Sequence, residues 1–197
     1  AGKRFKLWRV FPYRSMERTA GMYADIVKTG PYSDIAPQAQ LKIGTAYEKI
    51  KALGFKAPDY PAAVQAYDLA ADRYYDQPNV AAEAIFRSGL ASQKQALNAE
   101  RDQTTAGRAI AKFTDFMALY PNDPRVAQAQ ETITALRGEQ ARGSFVVAQF
   151  YEKRKRWESA RIYYNEVLVQ DPNSPYAAEA RERIALLKPR LQGGAEK

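Results

Sequence analysis

The chain has 197 residues and 22.1 kDa, and its 46% apolar content suffices for one domain or a short array of repeats around a continuous core. It contains no Cys and no His, which excludes disulfides, thiolate and imidazole metal sites, cysteine nucleophiles and every His-dependent triad. The net charge of +8 sits in two places, an acid-free segment 1–14 (Lys3, Arg4, Lys6, Arg9, Arg14) and the run Lys153, Arg154, Lys155, Arg156, and without them the balance is 21 basic against 22 acidic.

Residues 1–14 contain Pro12 and lack an amphipathic helical period, so they read as an irregular basic-aromatic segment. Arg4, Phe5, Trp8, Arg9 and Phe11 interleave charge with aromatic surface. Three readings compete: a loop capping an open end of the fold, a contact with an anionic membrane or a partner, and a single-stranded nucleic-acid platform. The last is the weakest, because the body of the chain is neutral rather than broadly basic, and no nucleic-acid partner is expected. Apolar periodicity and turn residues then predict helices over 15–28, 35–53, 59–76, 79–99, 104–119, 124–155, 157–170 and 176–188. The first of these reads as the second helix of a pair. The stretch 124–155 holds no proline and reads as one long helix, with Gly138 and Gly143 as its weak points. Residues 189–197 read as a flexible tail, and no apolar stretch approaches the ~20 residues of a membrane span.

The chain repeats itself. Pro37-Gln-Ala-Gln-Leu-Lys-Ile43, Ala82-Glu-Ala-Ile-Phe-Arg-Ser88, Ala127-Gln-Ala-Gln-Glu-Thr-Ile133 and Ala178-Glu-Ala-Arg-Glu-Arg-Ile184 share one phrase around Ala39, Ala84, Ala129 and Ala180. Each follows a turn signal: Gly30-Pro31-Tyr32-Ser33, Gln77-Pro78-Asn79, Tyr120-Pro121-Asn122-Asp123-Pro124 or Asp171-Pro172-Asn173-Ser174-Pro175. Upstream, a small residue is followed four later by an aromatic and eight later by proline, as in Thr19, Tyr23, Pro31; Ala109, Phe113, Pro121; and Ala160, Tyr164, Pro172. Ala63 and Tyr67 match with the proline late, at Pro78. Small residues let two helices approach, and the aromatics fill the gap beside them. With Ala148 and Tyr151 ahead of the last copy, residues 141–174 carry the 34-residue tetratricopeptide (TPR) spacing. The expected fold is therefore all-α, a TPR-like right-handed helical solenoid of antiparallel helix pairs with about eight helices, in a single domain over 15–188.

Arg101-Asp102-Gln103, Ala109, Phe113-Thr114-Asp115-Phe116 and Tyr120-Pro121-Asn122 resemble the middle of the BamD/YfiO-type outer-membrane assembly lipoproteins. Phe150-Tyr151-Glu152-Lys153-Arg154, followed by Trp157, Ala160 and Tyr164, resembles the same family, as does Gly30-Pro31-Tyr32-Ser33. The resemblance covers about residues 15–188. It implies a periplasmic scaffold, held at the outer membrane by an N-terminal lipid, that docks on the periplasmic domains of a β-barrel insertase and handles unfolded outer-membrane proteins. A generic TPR adaptor is the alternative, either Tol-Pal-associated in the periplasm or cytosolic.

In TPR folds the first helix of each pair lines the groove. For the 141–174 repeat its inward positions are Arg142, Phe145, Gln149 and Glu152, and for the first full repeat Gln38, Leu41, Thr45 and Glu48. A solvated polar face is the plainer reading of any one of them. Arg154, Arg156 and Trp157 join the partner-binding candidates, since a basic run at a helix end either offsets the helix dipole or docks an acidic partner. Enzymatic chemistry would have to rest on carboxylates such as Asp72 or Glu83, which nothing converges on a pocket, so no catalytic residue, metal, cofactor or small-molecule substrate is expected.

Overall fold

The computed structural model describes residues 12–50, 58–98 and 103–192, which form eight α-helices and, among the described residues, no strand. They are α1 (Pro12–Thr29), α2 (Ala36–Lys49), α3 (Tyr60–Arg73), α4 (Pro78–Asn98), α5 (Gln103–Leu119), α6 (Val126–Lys153), α7 (Trp157–Gln170) and α8 (Ala177–Gln192). The long α6 runs unbroken through Gly138 and Gly143. Four ends differ from expectation by three residues or more: α2 stops at Lys49 instead of 53, because Ile50 is already extended, and α3 stops at Arg73 instead of 76, because Tyr74 to Asp76 form the turn into α4. Pro12–Arg14, expected in the irregular segment, open α1, because proline fits a first turn whose N–H groups lack helical partners anyway. The helix α8 continues through Pro189 to Gln192 instead of ending at 188. Pro189 cannot donate one turn back, but it stands in the last turn, and Ala185 there is exposed, so water can serve the freed carbonyl. Residues 1–11, the connection through Gly54 and the remaining tail 193–197 lie outside the described residues.

The chain divides into two compact units, one running to Gln130 and one from Glu131. In the first, each helix from α1 to α4 packs on the next, and α2 also touches α4. Short turns join α1 to α2 and α3 to α4, and the successive packing matches the TPR-like helical solenoid that the repeats predict. Its core joins Ala36 and Leu41 of α2 to Ala63, Tyr67 and Ala70 of α3 and Val80, Ala84 and Ala91 of α4. Ala20 and Val27 of α1 pack on Ala39, Ile43 and Ala46 of α2. Beyond them, Phe86 of α4 meets Phe113 and Phe116 of α5 with ring centroids 5.7 and 5.1 Å apart. In the second unit, Ala141, Phe145 and Ala148 of α6, Ala160, Tyr164 and Val167 of α7, and Ala180 and Leu187 of α8 form the core. All four alanines at the centre of the repeated phrase are buried.

Gly44 marks a close helix approach in the first unit. A Cβ built there would lie 2.5 Å from the ring of Tyr67, which is itself fully buried, so only glycine lets α3 lean this close to α2. Gln40 reinforces the contact by donating to the Ala66 carbonyl at 3.0 Å. The corresponding position of the second unit is Ala148, also fully buried.

The four turns that separate helix pairs are one device. In each, two successive amides donate three residues back: Ser33 to Gly30 and Ala36 to Ser33, Gln77 to Tyr74 and Val80 to Gln77, Asp123 to Tyr120 and Val126 to Asp123, Ser174 to Asp171 and Ala177 to Ser174. Proline follows the first residue in three of them, but the second puts Tyr75 there and carries Pro78 at the start of α4 instead. The α6–α7 turn differs. Arg156 donates to the Tyr151 carbonyl and Lys155 to that of Glu152, a Schellman motif, with Lys155 at φ 59° in the left-handed position that glycine usually fills.

Candidate functional site

In the second unit α6, α7 and α8 converge on a polar cluster. Tyr164 of α7 packs its ring against Phe145, centroids 5.6 Å apart, while its hydroxyl donates to Glu152 of α6 at 2.7 Å. Arg183 of α8 reaches Glu152 at 3.6 Å and Glu179, one turn back on its own helix, at 3.2 Å. Burial and then the neighbouring Glu152 carboxylate raise the Tyr164 phenol well above its ordinary pKa, so this hydroxyl stays a donor. Around the cluster opens a cleft of about 290 Å³ lined by Gln149, Glu152, Lys153, Trp157, Tyr164, Arg183 and Arg190. The Arg190 guanidinium lies over the Trp157 ring, 4.6 Å from its centroid.

The first unit repeats the frame on α2, α3 and α4. Tyr67 donates to Glu48 at 2.8 Å and sits 3.3 Å from the Thr45 hydroxyl. Arg87 pairs with Glu83, one turn back on α4, as Arg183 does with Glu179. Here the cations are spent internally. Lys94 bonds Glu48 at 2.6 Å, and Arg125 bonds both Glu83 and Asp123 while lying over the rings of Phe86 and Phe116. Burial pushes Glu83 up, but Arg87 and Arg125 more than offset it, and the Arg125 hydrogen bond draws Asp123 down to about 2. Glu83 is thus a structural anion. Asp72 is exposed on α3. A second cleft, of about 300 Å³, is lined by Gln38, Leu41, Lys42, Thr45, Asn79, Val80, Glu83 and Arg87.

The expected partner-binding residues fall into three places. Gln149, Glu152 and Trp157 meet at the first cleft. Phe145 is buried between Tyr164 and Tyr176, its ring 5.2 Å from the latter, so it packs the core instead of facing a groove. Arg142 is exposed and pairs along its own helix with Glu139 at 2.9 Å. Arg154 lies over the exposed ring of Phe150, 3.9 Å from its centroid, on a stripe about a quarter-turn round α6 from the cleft. Arg156 is exposed in the Schellman turn. The candidates Arg4, Phe5, Trp8, Arg9 and Phe11 lie outside the described residues. Arg183 and Arg190 were not singled out by sequence, although Arg87 and Lys94 stand 96 positions before them, in register with the repeated phrase.

This arrangement can be set beside known proteins. Residues 25–180 match the family described as YfiO, outer membrane lipoprotein. The chain belongs to the YfiO family. It is also similar to the outer membrane protein assembly factor BamD of Haemophilus influenzae, at 25% identity over 130 residues, 61% of this chain and 49% of that protein. The chain thus spans about half the length of that relative. The YfiO match takes in α2 to α7 entire and ends at Ala180, before Arg183 and Arg190. No helix among the described residues is long and apolar enough to cross a membrane.

Proposed function

We propose that this protein is a periplasmic scaffold at the outer membrane that holds protein partners during assembly of β-barrel outer-membrane proteins. The observation that carries the reading is the basic end of α6: Lys153 to Arg156 are all exposed, and Phe150 beside them leaves 45% of its surface open under Arg154. Family membership and the assembly-factor name of the relative support the setting. The partners are the periplasmic domains of a β-barrel insertase and unfolded outer-membrane proteins, with the second unit docking the insertase and no reaction catalysed. Anchorage at the outer membrane through a lipid and an anionic-membrane contact through Arg4, Phe5, Trp8, Arg9 and Phe11 complete the picture.

The test is binding of the full chain to the periplasmic domains of the insertase from the same organism, followed by surface plasmon resonance at several ionic strengths. Arg154→Glu with Arg156→Glu should lower the association rate about tenfold and flatten its salt dependence, because rim charges act mainly on encounter. Helicity by circular dichroism should not change. An intact chain that binds no insertase domain defeats the reading, and binding that survives both reversals moves the contact from the basic turn to the cleft.

A further inference from the structure

The cleft of the second unit sets four unused donors, on Gln149, Lys153, Trp157 and Arg190, beside Tyr164 and Arg183, which are already engaged. Its one carboxylate, Glu152, already accepts from Tyr164 and faces Arg183. Lys153 and Arg190 have no carboxylate within bonding reach among the described residues, and the Gln149 amide and the Trp157 indole N–H have no hydrogen-bond partner among them either. Three cations against one anion give the lining a net positive charge. Two cations without a carboxylate partner and two free neutral donors, set beside a single carboxylate, favour a ligand group that accepts hydrogen bonds and carries negative charge. Trp157, held under Arg190, adds an apolar wall on which the methylene stem of such a group can lie.

We propose that the cleft between α6, α7 and α8 binds the carboxylate side chains of an acidic protein segment, with Lys153 and Arg190 as the charged contacts and Gln149 and Trp157 as neutral donors. This rests on the partner-binding reading above and names what the partner must offer. A protein segment fits better than a membrane surface, because the lining of this open cleft is mostly polar and the Trp157 ring is its one large apolar surface. It also fits better than a phosphate group, which would bring up to two negative charges beside the Glu152 carboxylate where a single ligand carboxylate brings one. The equivalent position in the first unit is closed, since Lys94 is bonded to Glu48 there.

The chain has two tryptophans, so Trp8→Phe leaves Trp157 as the single indole and makes the cleft report on itself. The full chain carrying that change is titrated with a terminally blocked peptide containing three glutamates spaced by glycines, and Trp157 emission is followed. Saturable change is expected, with at least tenfold weaker binding of the same peptide bearing glutamines. Lys153→Gln and Arg190→Gln should each weaken the glutamate peptide severalfold, while Lys188→Gln, an exposed cation of α8 outside the lining, should leave it unchanged. Equal binding of both peptides, or binding undiminished in Lys153→Gln and Arg190→Gln proteins of normal helicity, overturns the proposal. So does competition by phosphatidylglycerol vesicles or inorganic phosphate that exceeds the glutamate peptide. A chain that binds insertase domains but not the peptide loses the cleft and keeps the scaffold; a chain that binds only the peptide does the reverse.

Discussion

In the α2–α3–α4 repeat the hydroxyl of Tyr67 and the ammonium of Lys94 both close on Glu48, whereas in α6–α7–α8 Tyr164 closes on Glu152 but Arg190 turns away to lie over Trp157. The frames share a carboxylate on the first helix, a buried tyrosine on the second and a Glu–Arg pair one turn apart on the third, but in the second unit that Arg183 also reaches the first-helix carboxylate, as Lys94 does in the first. The difference starts from two side chains. Tyr60 opens α3 where Trp157 opens α7, and the planar guanidinium stacks on an indole better than the compact, strongly hydrated ammonium of Lys94 stacks on a phenol. Self-pairing turns the first cluster into a structural tie. Stacking leaves the second charged and open, so the repeat that is less complete internally is the one suited to a partner.

The strongest way to break this comparison is at the helix contact beneath each cluster. Gly44→Ala puts a methyl group against a tyrosine ring with no room to yield and should cost about 3 kcal/mol, even after the small gain in helix propensity. Ala148→Gly in the second unit should cost only about 1 kcal/mol. Urea midpoints at constant m decide the matter, and equal losses would mean that the two units pack their first helices alike.

A second test uses pH. Burial pushes the Tyr67 phenol up to about 12, against 10 when exposed, with Glu48 adding to the effect. The folded state therefore keeps this proton where the unfolded state releases it. The contribution is complete below pH 10 and is lost as pH rises from 10 through 12. Tyr67→Phe should flatten the decline of stability over that window, and in ultraviolet titration of the folded protein the absorbance step belonging to Tyr67 should come last together with that of Tyr164. An unaltered alkaline limb in Tyr67→Phe would show that burial does not hold the Tyr67 proton beyond pH 10.

The smallest effect sharpens the contrast most directly. Lys94→Gln should destabilise by about 0.5 kcal/mol, the usual worth of a half-exposed ion pair, and Arg190→Gln by less. A larger loss at Arg190 would mean that its stacking on Trp157 is structural and that the second cluster is as closed as the first.

The helices and their pairing are legible in the sequence because two signals coincide: turn prolines break the chain at regular intervals, and small–aromatic pairs such as Ala160 and Tyr164 mark where neighbouring helices touch. Even the long α6 follows from a missing proline. The clefts are less legible. Gln149 and Glu152 fall on one helical face and could be found, but Arg183 and Arg190 look like ordinary solvated cations until α8 is folded against α6 and α7. Phe145 falls on that face too, yet it is buried, since periodicity reports one helix at a time and the rings of Tyr164 and Tyr176 that bury it come from later in the chain. The left-handed Lys155 carries no local signal, because glycine is what such a position normally shows.

The four identical turns bear on how chains of this kind can change over descent. Each hands one helix to the next through two bonds spaced three residues apart, and that spacing sets the rotation at which the following helix begins. Inserting a single residue into such a turn would swing the next helix about 100° and face its alanine stripe away from its neighbours. Lengths there should stay frozen while identities drift, as the shift of proline from the second turn already illustrates. Growth or loss by whole helix pairs, by contrast, would preserve every handover.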